Sequence, residues 1–366
     1  MSDASPTGAV ETDALIIGAG PVGLFQLFQL GLQGIHAQVI DALPVPGGQC
    51  IALYADKPIY DIPAVPMCTG RELVDRLLLQ IAPFAPVFHL GQTVTALATR
   101  DDGRFDVETD HGTRFVSRLV FIAAGVGAFQ PRQLKVEGAE CHLGSQLFYQ
   151  PPDAGALAGR QWLVVGGEDA AVAAAVQAAQ AMADAVEGKA TDRPASVTLL
   201  HRRSVLAAEP DLLARFQALV DAGALHFEVG QVLSTEEDAE GWLCAVQVVG
   251  EDGTPRRLAT DAILVQLGLS PKLGPIADWG LAMARRQLVV DSAHFETSTP
   301  GIFAVGDVVS YPGKKKLILS GFHEATLAAF AAAARLRPGE PQPLQYTTTS
   351  PRLHRLLGVA SPARER

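Results

Sequence analysis

Two glycine-rich turns in this chain each lie between a short apolar run and a helical pattern, as phosphate-binding turns do. The first glycine turn reads Gly18-Ala19-Gly20-Pro21-Val22-Gly23 and follows apolar residues 14–17. Gly18 permits a tight turn, Gly20 lets the backbone approach a pyrophosphate, and Gly23 lets helix and strand pack closely. The free N–H groups at the start of the helix would face the phosphates. These residues predict a dinucleotide site.

The segment after the first helix ends in an acid. Residues 37–40 suit a second strand, and Asp41 follows them, 18 residues after Gly23. An acid in this position accepts hydrogen bonds from ribose hydroxyls. A chance glycine turn is the alternative, but strand, turn, helix, second strand and acid all stand in register, which favours nucleotide binding.

The second glycine turn reads Gly166-Gly167-Glu168-Asp169-Ala170-Ala171 after the strand-like residues 163–165. An alanine-rich run over residues 172–186 predicts a helix, and residues 196–200 predict a strand. This strand ends at His201-Arg202-Arg203 instead of an acid. Arg202 and Arg203 could bind a 2′-phosphate and so select NADP over NAD. A solvated basic turn is the alternative.

One residue departs from the second fingerprint. Its middle glycine should fall at position 168, where this chain has Glu168. A carboxylate there would repel a pyrophosphate and crowd the approach of the backbone. Either the Glu168 side chain turns away, or NADPH binds weakly or in a shifted pose.

The composition is that of a globular protein of about two domains. The 366 residues are 48% hydrophobic, and the net charge of −10 argues against a general nucleic-acid binder. No long uncharged apolar stretch predicts a membrane span, and the acidic N-terminus lacks the pattern of a secretory signal. The cysteines form neither a CxxC nor a metal-binding pattern, which indicates reduced thiols in a cytoplasmic protein. They are Cys50, Cys68, Cys141 and Cys244.

Several further segments match one family in order and spacing. They are Gly47-Gly48-Gln49, Ala52-Leu53-Tyr54, Gly127-Ala128-Phe129-Gln130-Pro131-Arg132, His201-Arg202-Arg203, Gly306-Asp307 and Ser320-Gly321-Phe322-His323-Glu324-Ala325. On these motifs the chain resembles the thioredoxin-reductase-like ferredoxin/flavodoxin–NADP reductases along nearly its whole length. It lacks the CxxC of thioredoxin reductases. It also lacks the CxxxxC of glutathione-reductase-like enzymes, since Ala55 stands where a partner for Cys50 would be.

The resemblance implies an α/β fold with two Rossmann-like dinucleotide-binding domains. The FAD domain would be discontinuous, built from residues 1–128 and 290–366, with the NADPH domain, residues 129–289, inserted into it. The resemblance also implies a homodimer.

The same resemblance implies roles for individual residues. The first glycine turn, Asp41 and Gln49 would hold the adenosine side of FAD, with Val94 at the adenine edge and Asp307 on the ribitol. Tyr54 would pack on the flavin ring, which Phe129 and Thr348 would help to enclose. Gly166, Gly167, Arg202 and Arg203 would bind NADP(H).

The implied activity is that of a ferredoxin–NADP(+) reductase, with no catalytic side chain of its own. Electrons would pass between NADPH and ferredoxin or flavodoxin through FAD, by hydride transfer and then one-electron steps. Because these partners are usually acidic, the chain would need a local positive face. Lys314-Lys315-Lys316 is one candidate, and the group of Arg352, His354 and Arg355 is another.

Two other functions stay open. One is an NAD(P)H-dependent flavoprotein reductase or oxidase whose acceptor is a quinone, free flavin or oxygen. The other is a flavin-binding redox sensor with impaired NADPH turnover, which Glu168 supports and the Arg202-Arg203 pair opposes.

Overall fold

The computed structural model describes residues 8–152, 158–183, 193–340 and 346–361. Contacts divide the chain into two units. The first unit is Met1–Ala128 with Pro271–Arg366, and the second unit is Phe129–Ser270.

The described helices and strands are numbered here in chain order. The helices are α1 Pro21–Leu32, α2 Gln49–Ala52, α3 Gly70–Ile81, α4 Asp169–Ala183, α5 Pro210–Asp221, α6 Ile318–Leu336 and α7 Pro351–Leu356. The strands are β1 Val10–Ile17, β2 Ala37–Asp41, β3 Pro58–Ile59, β4 Cys68–Thr69, β5 Val87–Leu90, β6 Val94–Thr99, β7 Phe105–Thr109, β8 Arg114–Ile122, β9 Ala128–Pro131, β10 Leu147–Phe148, β11 Gln161–Gly166, β12 Ser196–His201, β13 His226–Val229, β14 Gln231–Glu237, β15 Leu243–Val249, β16 Pro255–Ala259, β17 Ala262–Gln266, β18 Leu269–Lys272, β19 Met283–Ala284, β20 Gln287–Val289, β21 Ile302–Ala304 and β22 Val309–Ser310.

The first unit is built on a sheet whose described strands run in the order β5-β2-β1-β8-β7-β6, with β21 also paired to β8. The pairs β5–β2, β2–β1, β1–β8 and β8–β21 are parallel, whereas β7 and β6 continue antiparallel. The central strands are buried and rich in Ile, Val, Leu and Phe, as expected for parallel strands covered on both faces. Their carboxyl ends therefore meet at one edge, which is where ligands bind in such sheets.

Helices of the first unit begin at recognisable residues. Pro21 stands in the first turn of α1, where a missing N–H costs no hydrogen bond. Thr69 and Glu72 form a capping box at the start of α3. Helix α1 packs against α3 and α6. Its first residue, Pro21, follows Gly20 directly, so the helix begins within the first glycine turn.

The second unit has three layers. Its parallel sheet runs β10-β17-β11-β12-β13, and an antiparallel sheet runs β14-β15-β16. Alternate residues of β11 serve opposite faces. Trp162 and Val164 pack in a core with α4 and α5, while Leu163 and Val165 pack in a core with the antiparallel sheet.

The second boundary between the units differs from the sequence prediction. The sequence placed it between residues 289 and 290, whereas the contacts place it between residues 270 and 271. Residues 271–289 join the first unit because Ile276 and Leu281 belong to its hydrophobic core and β20 pairs with β22. That each unit holds its assigned cofactor stays a prediction.

The elements expected around both glycine turns are present, most of them a few residues longer than the apolar runs indicated. The helix predicted over residues 172–186 is α4, which begins three residues earlier; residues 184–186 lie outside the described residues. No helix within the described ranges has the length and apolar character needed to cross a membrane.

Candidate functional site

The first glycine turn closes tightly between β1, α1 and the end of β8. Gly18 has a φ of +112°, and a β-carbon there would overlap the carbonyl oxygen of Ala123. A β-carbon on Gly23 would overlap the carbonyl oxygen of Gly18. Both positions therefore require glycine, one for its conformation and the other for close packing.

Asp41, at the end of β2, folds its carboxylate over this turn. Oδ2 accepts a hydrogen bond from the Ala19 N–H at 2.5 Å, and Oδ1 accepts one from the Leu43 N–H at 2.7 Å. Burial raises the pKa of the Asp41 carboxyl, although both hydrogen bonds act to lower it. The acid is thus fixed beside the turn by backbone donors.

A second glycine loop faces the first glycine turn. The Gly47 N–H donates to the Ala19 carbonyl at 2.8 Å. Gly48, with φ +53°, lies so close that a β-carbon on it would stand 2.9 Å from the Cα of Gly20. The amide of Gln49 lies 3.1 Å from the position of a β-carbon on Gly125. These side-chain-free backbones form a cradle that a β-carbon would fill, which fits a group needing close backbone approach, as a pyrophosphate does.

The Gly306-Asp307 turn rests on a buried acid that the sequence analysis did not single out. Glu324 of α6 is fully buried, and its carboxylate accepts from the Gly306 N–H at 2.6 Å and the Tyr311 hydroxyl at 2.8 Å. It also pairs with the Lys314 ammonium at 2.5 Å. Burial, with the hydrogen bond to Glu324, raises the pKa of Tyr311 to about 12. A lone acid in an apolar, alanine-rich helix was the sequence signal for this anchor.

Tyr54 and Asp307 lie in the same neighbourhood. The Cys50 thiol donates to the Tyr54 hydroxyl at 3.5 Å. Burial raises the pKa of Tyr54, and the nearby charge of Asp307 adds to the rise. The structure thus brings together the tyrosine and the acid that the resemblance assigned to the flavin ring and the ribitol.

Cys50 also has a neighbour that its sequence position did not reveal. Cys50 and Cys68 are both fully buried, and both thiols are free. Burial raises the pKa of Cys50, and the proximity of Cys68 adds to the rise. A raised pKa keeps the Cys50 thiol protonated and unreactive.

Val94 begins β6 and is buried. The loop before it is tied to the end of β2, because the Gln92 N–H donates to the Asp41 carbonyl at 3.0 Å. Val94 is therefore held near the acid of the first glycine turn, and its contact with the adenine stays a prediction.

The structure does not bring Thr348 to the glycine loops. Thr348 is exposed in the turn before α7, and Arg352 of α7 donates to the carbonyl of Gly31, at the end of α1 opposite Gly20. Phe129 lies in β9, but its side chain is outside the described part of the structure.

Close packing requires glycine in the second glycine turn as well. A β-carbon on Gly166 would overlap the Gln266 carbonyl of β17, and one on Gly167 would stand 2.5 Å from the His201 ring. The carbonyl of Glu168 accepts the N–H groups of Ala171 and Val172 at 3.0 and 3.1 Å. Glu168 thus stands directly before Asp169, the first residue of α4.

Charged side chains around this turn are exposed. Glu168, Arg202 and Arg203 all face solvent. Burial lowers the pKa of His201, and the charges of Arg203 and Arg202 lower it further, whereas the charge of Glu168 acts to raise it. The two arginines lie beside the turn with donors free to meet an anionic ligand, and no contact in the described structure ties Glu168 to them.

Neither candidate basic patch is intact. The Lys314 side chain is only 7% exposed and is paired to Glu324, so only Lys315 and Lys316 of the lysine run face solvent. In the second group, Arg352 is bound to Gly31, and His354 is buried with its Nε2 against the Thr347 carbonyl. Lys314 and His354 therefore cannot contribute to a docking surface as expected, whereas Arg352, although it is bound to the Gly31 carbonyl, stays exposed and keeps its charge.

Residues 12–330 match the family described as pyridine nucleotide-disulphide oxidoreductase. The chain belongs to this family. Among curated members, it is 56% identical to a ferredoxin–NADP reductase of Methylibium petroleiphilum, over 98% of this chain and 95% of that protein. It is 55% identical to ferredoxin–NADP reductase 2 of Cupriavidus metallidurans, over 96% and 93%.

Solved structures of this oxidoreductase family share the fold. Thioredoxin reductase from T. acidophilum superposes with a TM-score of 0.54 at 21% identity, covering 89% of this chain and 99% of that one. Bacillithiol disulfide reductase from Staphylococcus aureus gives a TM-score of 0.57 at 18% identity, covering 89% and 99%. The predicted fold class, two Rossmann-like dinucleotide-binding domains, is confirmed, as is the family resemblance.

Proposed function

We propose that this protein is a ferredoxin–NADP reductase that passes electrons between NADPH and ferredoxin through FAD. The observation that carries the proposal is the contrast between two strand ends. Strand β2 ends on a carboxylate fixed against the first glycine turn, and β12 ends on two exposed arginines beside the second. An acid suits a ribose with free hydroxyls, and arginines suit one that bears a 2′-phosphate. The names of the curated relatives agree with this assignment.

The first unit would hold FAD. The cradle of Gly18, Gly20 and Gly48 would bind the pyrophosphate, and Asp41 the ribose of the adenosine. Gln49 and Val94 would contact the adenosine side, Asp307 the ribitol, and Tyr54 the flavin ring. When bound, FAD supplies the chemistry that links the two-electron nicotinamide couple to one-electron carriers.

The second unit would bind NADP(H). Gly166 and Gly167 would approach the pyrophosphate, and Arg202 and Arg203 would form charge-assisted hydrogen bonds with the 2′-phosphate. The exposure of Glu168 supports turnover over an impaired sensor, because an exposed carboxylate retains its hydration and its repulsion of the ligand is screened by solvent.

Electrons would leave without a thiol relay. Cys50, whose thiol donates to the Tyr54 hydroxyl, and its neighbour Cys68 are both buried, and the pKa of Cys50 is raised. Such a thiol is a poor nucleophile. This favours direct transfer to an external carrier over the disulfide chemistry that the family's name describes.

Lys315 and Lys316 would contribute to docking ferredoxin. They are exposed, and they directly follow Lys314, which pairs with the buried Glu324 beneath the Gly306-Asp307 turn. An acidic carrier approaching a protein of net charge −10 needs such a local positive group to orient it. Flavodoxin, which is also acidic, would use the same lysines. Charge reversal of both should raise KM for ferredoxin several-fold and flatten its salt dependence, while K135E, which reverses an exposed lysine elsewhere, should not.

The test is anaerobic stopped-flow mixing of the purified protein with NADPH or NADH, followed by mixing with ferredoxin, flavodoxin, quinone or oxygen. Flavin absorbance near 450 nm should bleach rapidly with NADPH and slowly with NADH, and ferredoxin or flavodoxin should restore it fastest. A yellow protein that neither nucleotide bleaches would contradict the proposal. Faster recovery with quinone or oxygen would favour the alternative acceptors.

We further propose that the enzyme is a cytoplasmic homodimer, as its family resemblance implies. Light scattering coupled to size-exclusion chromatography should give twice the chain mass of 38.6 kDa. A monomeric mass at micromolar concentration would contradict this.

A further inference from the structure

Glu168 stands where the second fingerprint has its middle glycine, and its main chain is fixed there. Its carbonyl is held by two N–H groups of α4, and it forms a bridge with Ala207, whose N–H donates to the Gly167 carbonyl at 2.7 Å. The direction in which its side chain leaves the turn is therefore set by the fold.

That direction is toward β17. The carboxylate Oε2 lies 3.6 Å from the position of a β-carbon on Gly268, in the segment directly after β17. In the sheet order β10-β17-β11-β12-β13, β17 and β12 lie on opposite sides of β11. The carboxylate of Glu168 is therefore directed to the β17 side of the glycine turn, whereas Arg202 and Arg203 follow β12 on the other side, although the Glu168 charge still reaches His201 at the end of β12.

The two halves of a dinucleotide separate across the same strand. In a Rossmann unit the pyrophosphate lies at the first glycine turn, and the adenosine ribose is bound at the end of the next strand, here β12. The nicotinamide half then extends over the β17 side, where the carboxylate lies. Its ring carries a positive charge when oxidised and none when reduced.

From this placement we infer that Glu168 makes the site prefer oxidised over reduced nicotinamide nucleotide, an inference that rests on the proposed NADP(H) site. The carboxylate repels the pyrophosphate in both forms alike, so that cost cancels between them. Attraction to the ring exists only in NADP⁺. Since tighter binding of the oxidised form lowers the potential of the bound couple, Glu168 makes bound NADPH a stronger electron donor.

Isothermal titration calorimetry on the purified holoenzyme tests this with three probes. They are NADP⁺; 1,4,5,6-tetrahydro-NADP, whose ring is neutral and does not reduce the flavin; and 2′,5′-ADP, which lacks the nicotinamide half. The variants are E168Q, which keeps the backbone contacts and nearly the same shape, and E251Q. Glu251 is an exposed acid in the turn between β15 and β16, so E251Q controls for the net charge of the unit.

For E168Q, the preference for NADP⁺ over tetrahydro-NADP should fall by about threefold to fivefold, as expected for one exposed charge pair. E251Q should keep the wild-type preference. 2′,5′-ADP has a 5′-phosphate but no nicotinamide ring, so in E168Q its affinity should change in the same direction as that of tetrahydro-NADP, because both lose only the repulsion of phosphate. An unchanged preference in E168Q would overturn the inference. So would a loss of 2′,5′-ADP affinity in E168Q, since the carboxylate would then help to bind the adenosine half.

Failure of the proposed function gives different results. If the wild-type protein binds none of the three probes, the nucleotide site itself is wrong and the inference falls with it. If it binds all three but transfers no electrons to ferredoxin or flavodoxin, the acceptor is wrong, while the change in preference caused by E168Q still decides the role of Glu168.

Discussion

The two glycine turns have the same strand–turn–helix plan but differ in what surrounds them. The first turn is surrounded by fixed protein groups. The Asp41 carboxylate accepts hydrogen bonds from two backbone N–H groups, and Gly48 packs closely against Gly20. The second is surrounded by exposed charges, those of Glu168, Arg202 and Arg203. One plan thus suits both a cofactor that stays and a substrate that must leave, because burial and a rigid backbone favour retention while exposed side chains allow exchange.

The largest effect should come from breaking the buried support of the first unit. E324A would leave the Lys314 ammonium buried without its acid and the Gly306 N–H without its acceptor. Removing one member of a buried ion pair costs about 3–5 kcal/mol of unfolding free energy. Urea unfolding should register this loss, and the purified protein should contain less FAD.

Two further variants separate the effect of the unpaired Lys314 charge from a general loss of stability. Adding K314M to E324A removes the unpaired charge and should recover part of the stability, as a double-mutant cycle would measure. D101A, at an exposed acid of the same unit, should change little. Equal stability of E324A and D101A would show that the buried cluster does not hold the Gly306-Asp307 turn.

Replacing the exposed arginines of the second unit should change ligand affinity and leave the free energy of unfolding unchanged. Replacing Arg202 and Arg203 together with alanine removes charge-assisted hydrogen bonds worth about 1.5–3 kcal/mol, which is about tenfold to a hundredfold in affinity for 2′,5′-ADP. FAD content and unfolding free energy should stay near wild type, because both side chains are exposed. Calorimetry measures the affinity, and an unchanged value would contradict the 2′-phosphate assignment.

A matched pair of glycine substitutions compares the two turns directly. In G48A, the new β-carbon meets the backbone of Gly20 at 2.9 Å in a conformation with φ +53°, so no side chain can move to relieve it. We expect a loss of about 1–3 kcal/mol together with weaker FAD binding. In G167A the β-carbon meets the His201 ring, which can rotate, so the loss should be less than about 1 kcal/mol. Equal losses of unfolding free energy in G48A and G167A would contradict the proposed difference in rigidity between the two turns.

Local sequence patterns predicted the elements of both turns well. Apolar runs before Gly18 and Gly166 became β1 and β11, and the alanine-rich run after Gly167 became α4. These patterns succeed because strand, turn and helix follow one another within about 30 residues, where periodicity and glycine placement determine the local structure.

Contacts between distant segments were harder to predict. No local sequence pattern predicts that Gly48 contacts Gly20. Nor does one predict that Glu324 binds the Gly306 N–H and pairs with Lys314, which is thereby buried. The contacts divide the chain at residue 271 and not at 290 for the same reason, since Ile276 and Leu281 are recognised as core of the first unit only when the fold is known. The exposed Glu168 and Arg202, by contrast, were found from sequence because departures from a fingerprint are visible in it.

The smallest expected effect concerns the pH response of the second turn. Burial lowers the pKa of His201, and Arg203 and Arg202 lower it further, so the folded protein binds this proton less readily than the unfolded chain does. The stability contribution of His201 is therefore complete above the unfolded pKa of about 6.5 and is lost as pH falls through the lower folded value. Urea unfolding at pH 7.5 and 5.5 should show a smaller loss on acidification for H201N than for wild type. H111N, which removes an exposed imidazole of the first unit, should keep the wild-type loss. If H201N and H111N lose stability equally, neither burial nor the two arginines lower the pKa of His201 in the folded protein, and the second turn does not differ from the first in its response to acid.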